Sequence, residues 1–179
     1  MTTMARVSHI VVHYSATYPD QHVTAATVDE WHRARGFARI GYHVFFRRDG
    51  TREQGRPFNQ TGAHVGGQNT GKIGLCWAGG LDRSTGPNVG VNNMTQAQER
   101  ALIAEIRSLK EKHPQAIVCG HRDLAATQCP GFDVPAWWAR VSAPEKPAKP
   151  APTPADPATI WQALARALAA LAALFTRRA

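Results

Sequence analysis

The length, composition and charge of the chain limit the classes of protein to which it can belong. It has 179 residues, enough for one domain with a hydrophobic core. Its formal net charge is +8 at pH 7, which favours a polyanionic partner such as nucleic acid, anionic lipid or an acidic cell-wall polymer without choosing among them. The three cysteines, an odd number, argue against a disulfide framework and favour a reducing compartment or a metal ligand.

Hydrophobic patterns predict short strands that alternate with helices. Strand patterns occupy residues 7–14, 42–48, 51–54, 73–80 and 116–119. Helix patterns occupy residues 27–36, 95–114 and 134–141. The first helix is predicted to begin at Thr27, because Thr27 and Glu30 have the spacing of a capping box. With one hairpin signal at Asp49-Gly50, the pattern predicts an α/β fold, a single domain with a mixed central sheet flanked by helices.

Candidate metal ligands lie in two distant segments. His121 and Cys129 are eight positions apart in a segment rich in glycine, proline and small residues, so both side chains can turn back on one point. His13 is the best candidate for a third ligand, because it ends the first strand, where side chains of α/β sheets commonly face a functional crevice. Two His and one Cys on a tetrahedral Zn²⁺ leave one position for water, which is typical of a catalytic site.

Several motifs occur in a fixed order between residues 6 and 140. They are Ile10-Val11-Val12-His13-Tyr14-Ser15-Ala16-Thr17, Gly41-Tyr42-His43-Val44 with Arg48-Asp49-Gly50-Thr51, Gly62-Ala63-His64, Ile73-Gly74-Leu75-Cys76 before Gly79-Gly80, and Gly120-His121-Arg122-Asp123 with Cys129-Pro130-Gly131-Phe132-Asp133. Together they resemble the type-2 N-acetylmuramoyl-L-alanine amidases. That family includes phage lysozyme-amidases and is related to animal peptidoglycan-recognition proteins.

The resemblance implies a zinc amidase that cleaves the bond between N-acetylmuramic acid and the L-alanine of the stem peptide. By motif position it implies that His13, His121 and Cys129 bind the zinc ion and that Tyr42 lies beside the attacking water. Thr127 stands where phage members often carry a lysine. The threonine implies a hydroxyl donor to the oxyanion in place of a cation.

Other histidines and cysteines are given roles around this site. His64 is expected to face the sugar or peptide of the substrate, with a role in ordering its loop as the alternative, and Asn69 is a second candidate for substrate binding. Cys76 and Cys119 lie in apolar strands and are expected to be small core residues. Structural roles are expected for His9, His32 and His43.

The C-terminal part has a different composition from the rest. Residues 1–141 form the expected amidase domain, and residues 142–157 form a Pro/Ala/Lys-rich linker. Residues 158–179 carry large apolar side chains at helical spacing, which predicts a C-terminal amphipathic helix. An anionic membrane surface is the leading partner for residues 158–178, and a spanning helix or docking and self-association are the alternatives.

The resemblance implies an endolysin whose partner is bacterial peptidoglycan. No apolar signal segment precedes the first strand, so we expect synthesis in the host cytoplasm and release to the cell wall in the periplasm. A host amidase for wall recycling and a non-catalytic peptidoglycan-binding module are alternatives, and the presence of Cys129 and Tyr42 argues against the second. We expect a monomer with no nucleic-acid partner, because no basic helix is interleaved with aromatic residues.

Overall fold

A computed structural model of the chain describes residues 6–143 and Arg166, and its centre is a five-stranded sheet. The strands are β1 (His9–Tyr14), β2 (Val44–Phe46), β3 (Arg52–Gln54), β4 (Lys72–Trp77) and β5 (Ile117–Gly120), and the helices are α1 (Ala25–Ala34), α2 (Gln96–Lys112) and α3 (Val134–Ser142). The order across the sheet is β3-β2-β4-β1-β5. Four of these strands run parallel and β3 pairs antiparallel with β2. The predicted mixed α/β sheet with one hairpin is confirmed.

Alternation along β1 assigns its side chains to two layers. Ile10 and Val12 lie in the larger core, where they pack with residues of α2 and α3. Val11 points to the opposite face and packs with Val65 and Cys119. Because alternate residues of a strand share a face, His13 follows Val11 on this second side of the sheet.

Helix α2 begins where the sequence predicts. Thr95 is its N-cap: the Thr95 hydroxyl accepts from the Gln98 amide at 3.1 Å, and the Gln98 side chain accepts from the Thr95 amide at 3.0 Å. The same Gln98 side chain donates to the carbonyl of Ala78 at 2.8 Å. This buried amide therefore caps the helix and also fixes it to the chain just beyond β4.

Helix α1 begins earlier than predicted, and the start at Thr27 was wrong. The N-cap is Thr24, whose hydroxyl accepts from the Thr27 amide at 3.2 Å, so Thr27 is the N3 residue of the capping box and not its N-cap. The amide of Ala25 donates to the carboxylate of Glu53 in β3 at 2.6 Å. Local spacing located the wrong start because the N3 residue of the real capping box is threonine, whereas Thr27 and Glu30 match the usual Ser/Thr-x-x-Glu pattern.

Strand β4 ends at Trp77, three residues before the predicted end. Gly79 and Gly80 have φ angles of 134° and 100°, which lie outside the extended region. A Cβ atom added at Gly80 would lie 2.6 Å from the Cβ of Tyr14, so only glycine fits against this side chain. Beyond the end of β4 the chain stays beside the segment that follows β1, because Thr17 donates to the carbonyl of Gly79 at 3.0 Å and accepts from the amide of Leu81 at 3.2 Å.

The predictions for the C-terminal part lie almost wholly outside the described residues. The chain divides after Ala143 into two units, and Arg166 is the residue described in the second. The linker at 142–157 and the amphipathic helix at 158–179 therefore stay predictions. Within residues 6–143 and at Arg166, no helix is both long enough and apolar enough to cross a bilayer.

Replacing Ile106 with alanine is expected to lower the free energy of unfolding by about 2–5 kcal/mol, because this α2 side chain is fully buried in the larger core. Urea denaturation followed by circular dichroism measures the change. Ile117→Ala deletes the same atoms from a side chain that is 58% exposed, so it is expected to cost less than about 1 kcal/mol. Equal losses in the two variants would contradict this placement of the core.

Candidate metal centre

The parallel pairing of β1 with β5 brings two histidines together. Its register sets Val12 beside Gly120, so the residues that follow them, His13 near the end of β1 and His121 just after β5, lie side by side at the carboxyl ends of these strands. Their ring centroids are 4.7 Å apart. These side chains are distant in the sequence, and strand pairing alone makes them neighbours.

Cys129 reaches the same point from the loop that follows β5. The carbonyl of Cys129 accepts from the Arg122 amide at 2.7 Å, which folds the loop back on its own beginning. The amide of Tyr14 donates to Cys129 Sγ at 3.4 Å, which joins the loop to the end of β1. The thiol is buried, 6% exposed, and it faces His13.

The three side chains fit a tetrahedral metal site. One nitrogen each from His13 and His121 and the sulfur of Cys129 lie within 4.8 Å of one another. Zinc binds sulfur at about 2.3 Å and nitrogen at about 2.0–2.1 Å, so tetrahedral geometry separates such a pair by roughly 3.6 Å. The distance from Cys129 Sγ to His13 Nδ1 is 3.7 Å. The structure therefore brings the three predicted ligands together, and the sulfur of Cys129 and Nδ1 of His13 have nearly the separation expected for two donors to one zinc ion.

Burial sets the protonation of the three side chains. It lowers the pKa of His13 well below its usual value, with contributions from His64 and His121, and it lowers the pKa of His121. Both imidazoles are therefore neutral at pH 7, which is the form that binds a metal. Burial raises the pKa of the Cys129 thiol to about 12, so metal binding there displaces a proton.

His64 contacts a candidate ligand directly. His64 Nδ1 is 3.0 Å from His13 Nε2, and His64 Nε2 is 3.3 Å from the carbonyl oxygen of Lys72. Asn69 orders the loop around this histidine, because its side-chain oxygen accepts from the amides of His64 and Val65 at 2.7 and 2.8 Å. His64 and Asn69 also line an open groove beside the three donors, where a substrate could reach them. Their contact with substrate stays a prediction.

Two glycines leave the space that the His64 ring occupies. A Cβ atom added at Gly74 in β4 would lie 2.6 Å from two ring carbons, and one at Gly62 would lie 2.5 Å from the ring. Neither distance is tolerated by a real side chain. These glycines, which occur in two of the motifs named above, therefore permit the close packing of His64 against the sheet.

An open groove of about 360 Å³ adjoins the donors and is lined by Tyr42 and His121. Tyr42 lies just before β2, and its ring centroid is 5.1 Å from that of His13. Burial raises the pKa of Tyr42 well above its usual value, and the neighbouring thiols of Cys76 and Cys129 add to the shift. The phenol therefore keeps its proton, and its side chain forms part of the groove wall while its hydroxyl interacts with the thiol of Cys76.

Thr127 lies in the loop that carries Cys129. Its hydroxyl is half-buried and accepts from the Cys129 amide at 3.3 Å, so it helps to hold the position of the thiol. Its predicted contact with an oxyanion stays a prediction. Cys76 and Cys119 are both buried, as expected for small core residues.

Sequence reasoning missed three residues of the groove: His32, Arg35 and Phe37. They lie at the end of α1 and just beyond it, and nothing in their local pattern indicates a site. His32 also has the structural role that was expected, because its Nδ1 accepts from the Gly41 amide at 2.8 Å. The packing of α1 on the sheet, which sequence spacing does not reveal, places them beside Tyr42.

Comparisons with known proteins agree with this geometry. The profile of the N-acetylmuramoyl-L-alanine amidase family, Amidase_2, matches residues 3–132. The endolysin of Klebsiella phage KP32 is 38% identical over 137 residues, 76% of this chain and 89% of that protein. The endolysin of Escherichia phage T7 is 37% identical over 129 residues, 72% of this chain and 83% of that protein.

Among solved structures, the chain is similar to the N-acetylmuramoyl-L-alanine amidase LysC from Clostridium intestinale URNW. The TM-score is 0.64 at 31% identity, over 76% of this chain and 86% of that one. The family inferred from the ordered motifs is therefore confirmed by sequence and by fold. The chain belongs to the type-2 N-acetylmuramoyl-L-alanine amidase family.

Proposed function

We propose that the protein is a zinc-dependent endolysin that hydrolyses the amide between N-acetylmuramic acid and the L-alanine of the stem peptide in peptidoglycan. The observation that carries this proposal is the convergence of His13, His121 and Cys129 beside an open groove. Three protein donors with access to solvent are typical of a catalytic zinc site, whereas a structural site is closed by four. The endolysin relatives support action on the cell wall after release.

His13, His121 and Cys129 would hold the ion. When bound, zinc supplies a Lewis acid that polarises the scissile carbonyl and lowers the pKa of water. The remaining chemistry belongs to the chain itself. Tyr42 keeps its proton in the groove and would donate a hydrogen bond to the carbonyl oxygen as negative charge develops there.

The hydrogen bonds of His64 determine which nitrogen of His13 carries a proton. The carbonyl of Lys72 only accepts, so His64 Nε2 donates to it. His64 is neutral, because burial lowers its pKa to about 3, and its Nδ1 therefore accepts from His13 Nε2. His13 in turn has a free lone pair on Nδ1, the atom that faces Cys129. This chain of bonds orients His13 for metal binding.

A complete donor set argues against the alternative of a binding module without catalysis. Such a module needs the groove but has no need of a buried thiol beside two neutral imidazoles. The buried sulfur of Cys129 faces Nδ1 of His13, an arrangement that supports metal binding and that a peptide-binding groove does not need.

Digestion of purified peptidoglycan by the zinc-loaded protein is expected to release free stem peptides, detected by mass spectrometry. Removal of zinc by a chelator and the substitution Cys129→Ala are each expected to lower the rate at least about 100-fold, because metal ions contribute several kcal/mol to such reactions. Cys119→Ala is the matched control, since it removes a buried thiol outside the donor set. Unchanged release by metal-free protein would refute the proposal.

The substitution Tyr42→Phe removes one hydroxyl from the groove and is expected to lower kcat about 100- to 1000-fold, the range for loss of one donor to a developing oxyanion. Zinc affinity and the unfolding transition are expected to stay as in the unsubstituted protein, because the ring and its packing remain. Steady-state kinetics on a soluble muropeptide give kcat. A loss below about threefold would show that the hydroxyl has no part in the reaction.

The substitution His64→Ala is expected to weaken zinc binding about 10- to 100-fold, because His13 loses the partner that orients it. Competition with a chromophoric chelator measures the affinity without reference to activity. His22→Ala removes an exposed histidine and is the control, with no expected change. Normal zinc affinity combined with a raised KM would assign His64 to substrate binding instead.

A further inference from the structure

The groove beside the candidate metal centre carries a positive charge that no carboxylate compensates. Among the described residues that line it, none is acidic, and Arg35 has a permanent charge. The adjacent His32 is neutral, because burial lowers its pKa to about 4 and the charges of Arg35 and Arg56 add to the shift. At neutral pH Arg35 is therefore the charged side chain among the described residues that line this groove.

Arg35 is held in place without being neutralised. Its Cζ lies 5.4 Å from the centroid of the Phe37 ring, within the range of a cation–π contact. Its Nε is 3.4 Å from the carbonyl oxygen of Trp31. Across residues 6–143 its terminal Nη atoms form no hydrogen bond or ion pair, whereas the nearby Arg33 pairs with Asp29 at 2.6 Å. The guanidinium group of Arg35 is therefore held in one orientation, and its two terminal nitrogens are available to a ligand.

Arg56, a second cation near this groove, has its guanidinium bound to backbone carbonyls. Its Nε donates to the carbonyl of Ile40 at 2.7 Å, and its Nη1 donates to the carbonyl of Thr61 at 2.8 Å. Those bonds fix the loop that carries His64. Of these two arginines, Arg35 is the one whose terminal nitrogens are available to bind a ligand.

We propose that Arg35 selects substrates whose peptide carries a carboxylate close to the scissile amide, and that its guanidinium binds that carboxylate. Planar guanidinium and carboxylate groups can form two parallel hydrogen bonds. The ring of Phe37 under the guanidinium of Arg35 limits the motion of that group. In a stem peptide that begins with L-Ala-γ-D-Glu, the free α-carboxylate of glutamate is the first negative charge after the amide. This inference rests on the proposed amidase function and names its substrate class.

Two muropeptides with the same scissile bond test the proposal: N-acetylmuramoyl-L-Ala-γ-D-Glu and its isoglutamine counterpart, in which the α-carboxylate is an amide. The protein with its zinc site filled is expected to show a kcat/KM at least about 10-fold higher for the acid. The reason is that the isoglutamine compound has no carboxylate and cannot form the charge-assisted pair with Arg35. Arg35→Gln is expected to reduce that ratio to about 1, chiefly through a higher KM for the acid. Added salt should also reduce the ratio, because the groove is open to solvent.

Arg33→Gln is the matched control, because it removes a guanidinium two residues away, at the end of α1, that pairs with Asp29 and does not line the groove. It is expected to keep the preference for the acid. Equal cleavage of both muropeptides by the unsubstituted protein would overturn the role of Arg35 while leaving the amidase function intact. A preference that survives in Arg35→Gln would also overturn it, and cleavage of neither compound would refute the proposed function itself.

Discussion

The pairing of β1 with β5 is the constraint on which the site depends. Its register sets Val12 beside Gly120, and so delivers His13 and His121 to one edge of the sheet. The loop that carries Cys129 then returns to the same edge and is held by the amide of Tyr14. A slip of one residue between these strands would turn one imidazole to the opposite face, because side chains alternate along a strand. The large core on the other face prevents that slip.

Burial has two consequences for this edge of the sheet. It holds the imidazoles of His13, His64 and His121 neutral, so their lone pairs are available for a metal or for each other. It also requires each buried polar group to have a partner. The bond from His13 to His64 and the contact of His64 with the Lys72 carbonyl meet that requirement. The contacts that stabilise the folded protein therefore also leave these imidazoles in the neutral form that a metal ion would require.

The groove differs from the centre in what it offers a substrate. The centre presents neutral donors that are packed tightly, while the groove presents the phenol of Tyr42, the ring of Phe37 and the charge of Arg35 to solvent. In the proposed function, catalysis and substrate selection belong to different elements. The sheet edge and its loops carry the candidate metal ligands, and the segment just beyond α1 carries the charge proposed to distinguish one peptide from another.

Local pattern in the sequence determined the alternation of strands and helices, the hairpin at Asp49-Gly50 and the N-cap at Thr95, because each depends on residues close together in the chain. Ordered motifs also identified the family and its three candidate ligands. Tertiary structure alone decided that Glu53 helps to begin α1, that His64 bonds to His13, and that Arg35 lies in the groove. These contacts join segments that no local periodicity relates, and they exist only once the helix and loops have packed on the sheet.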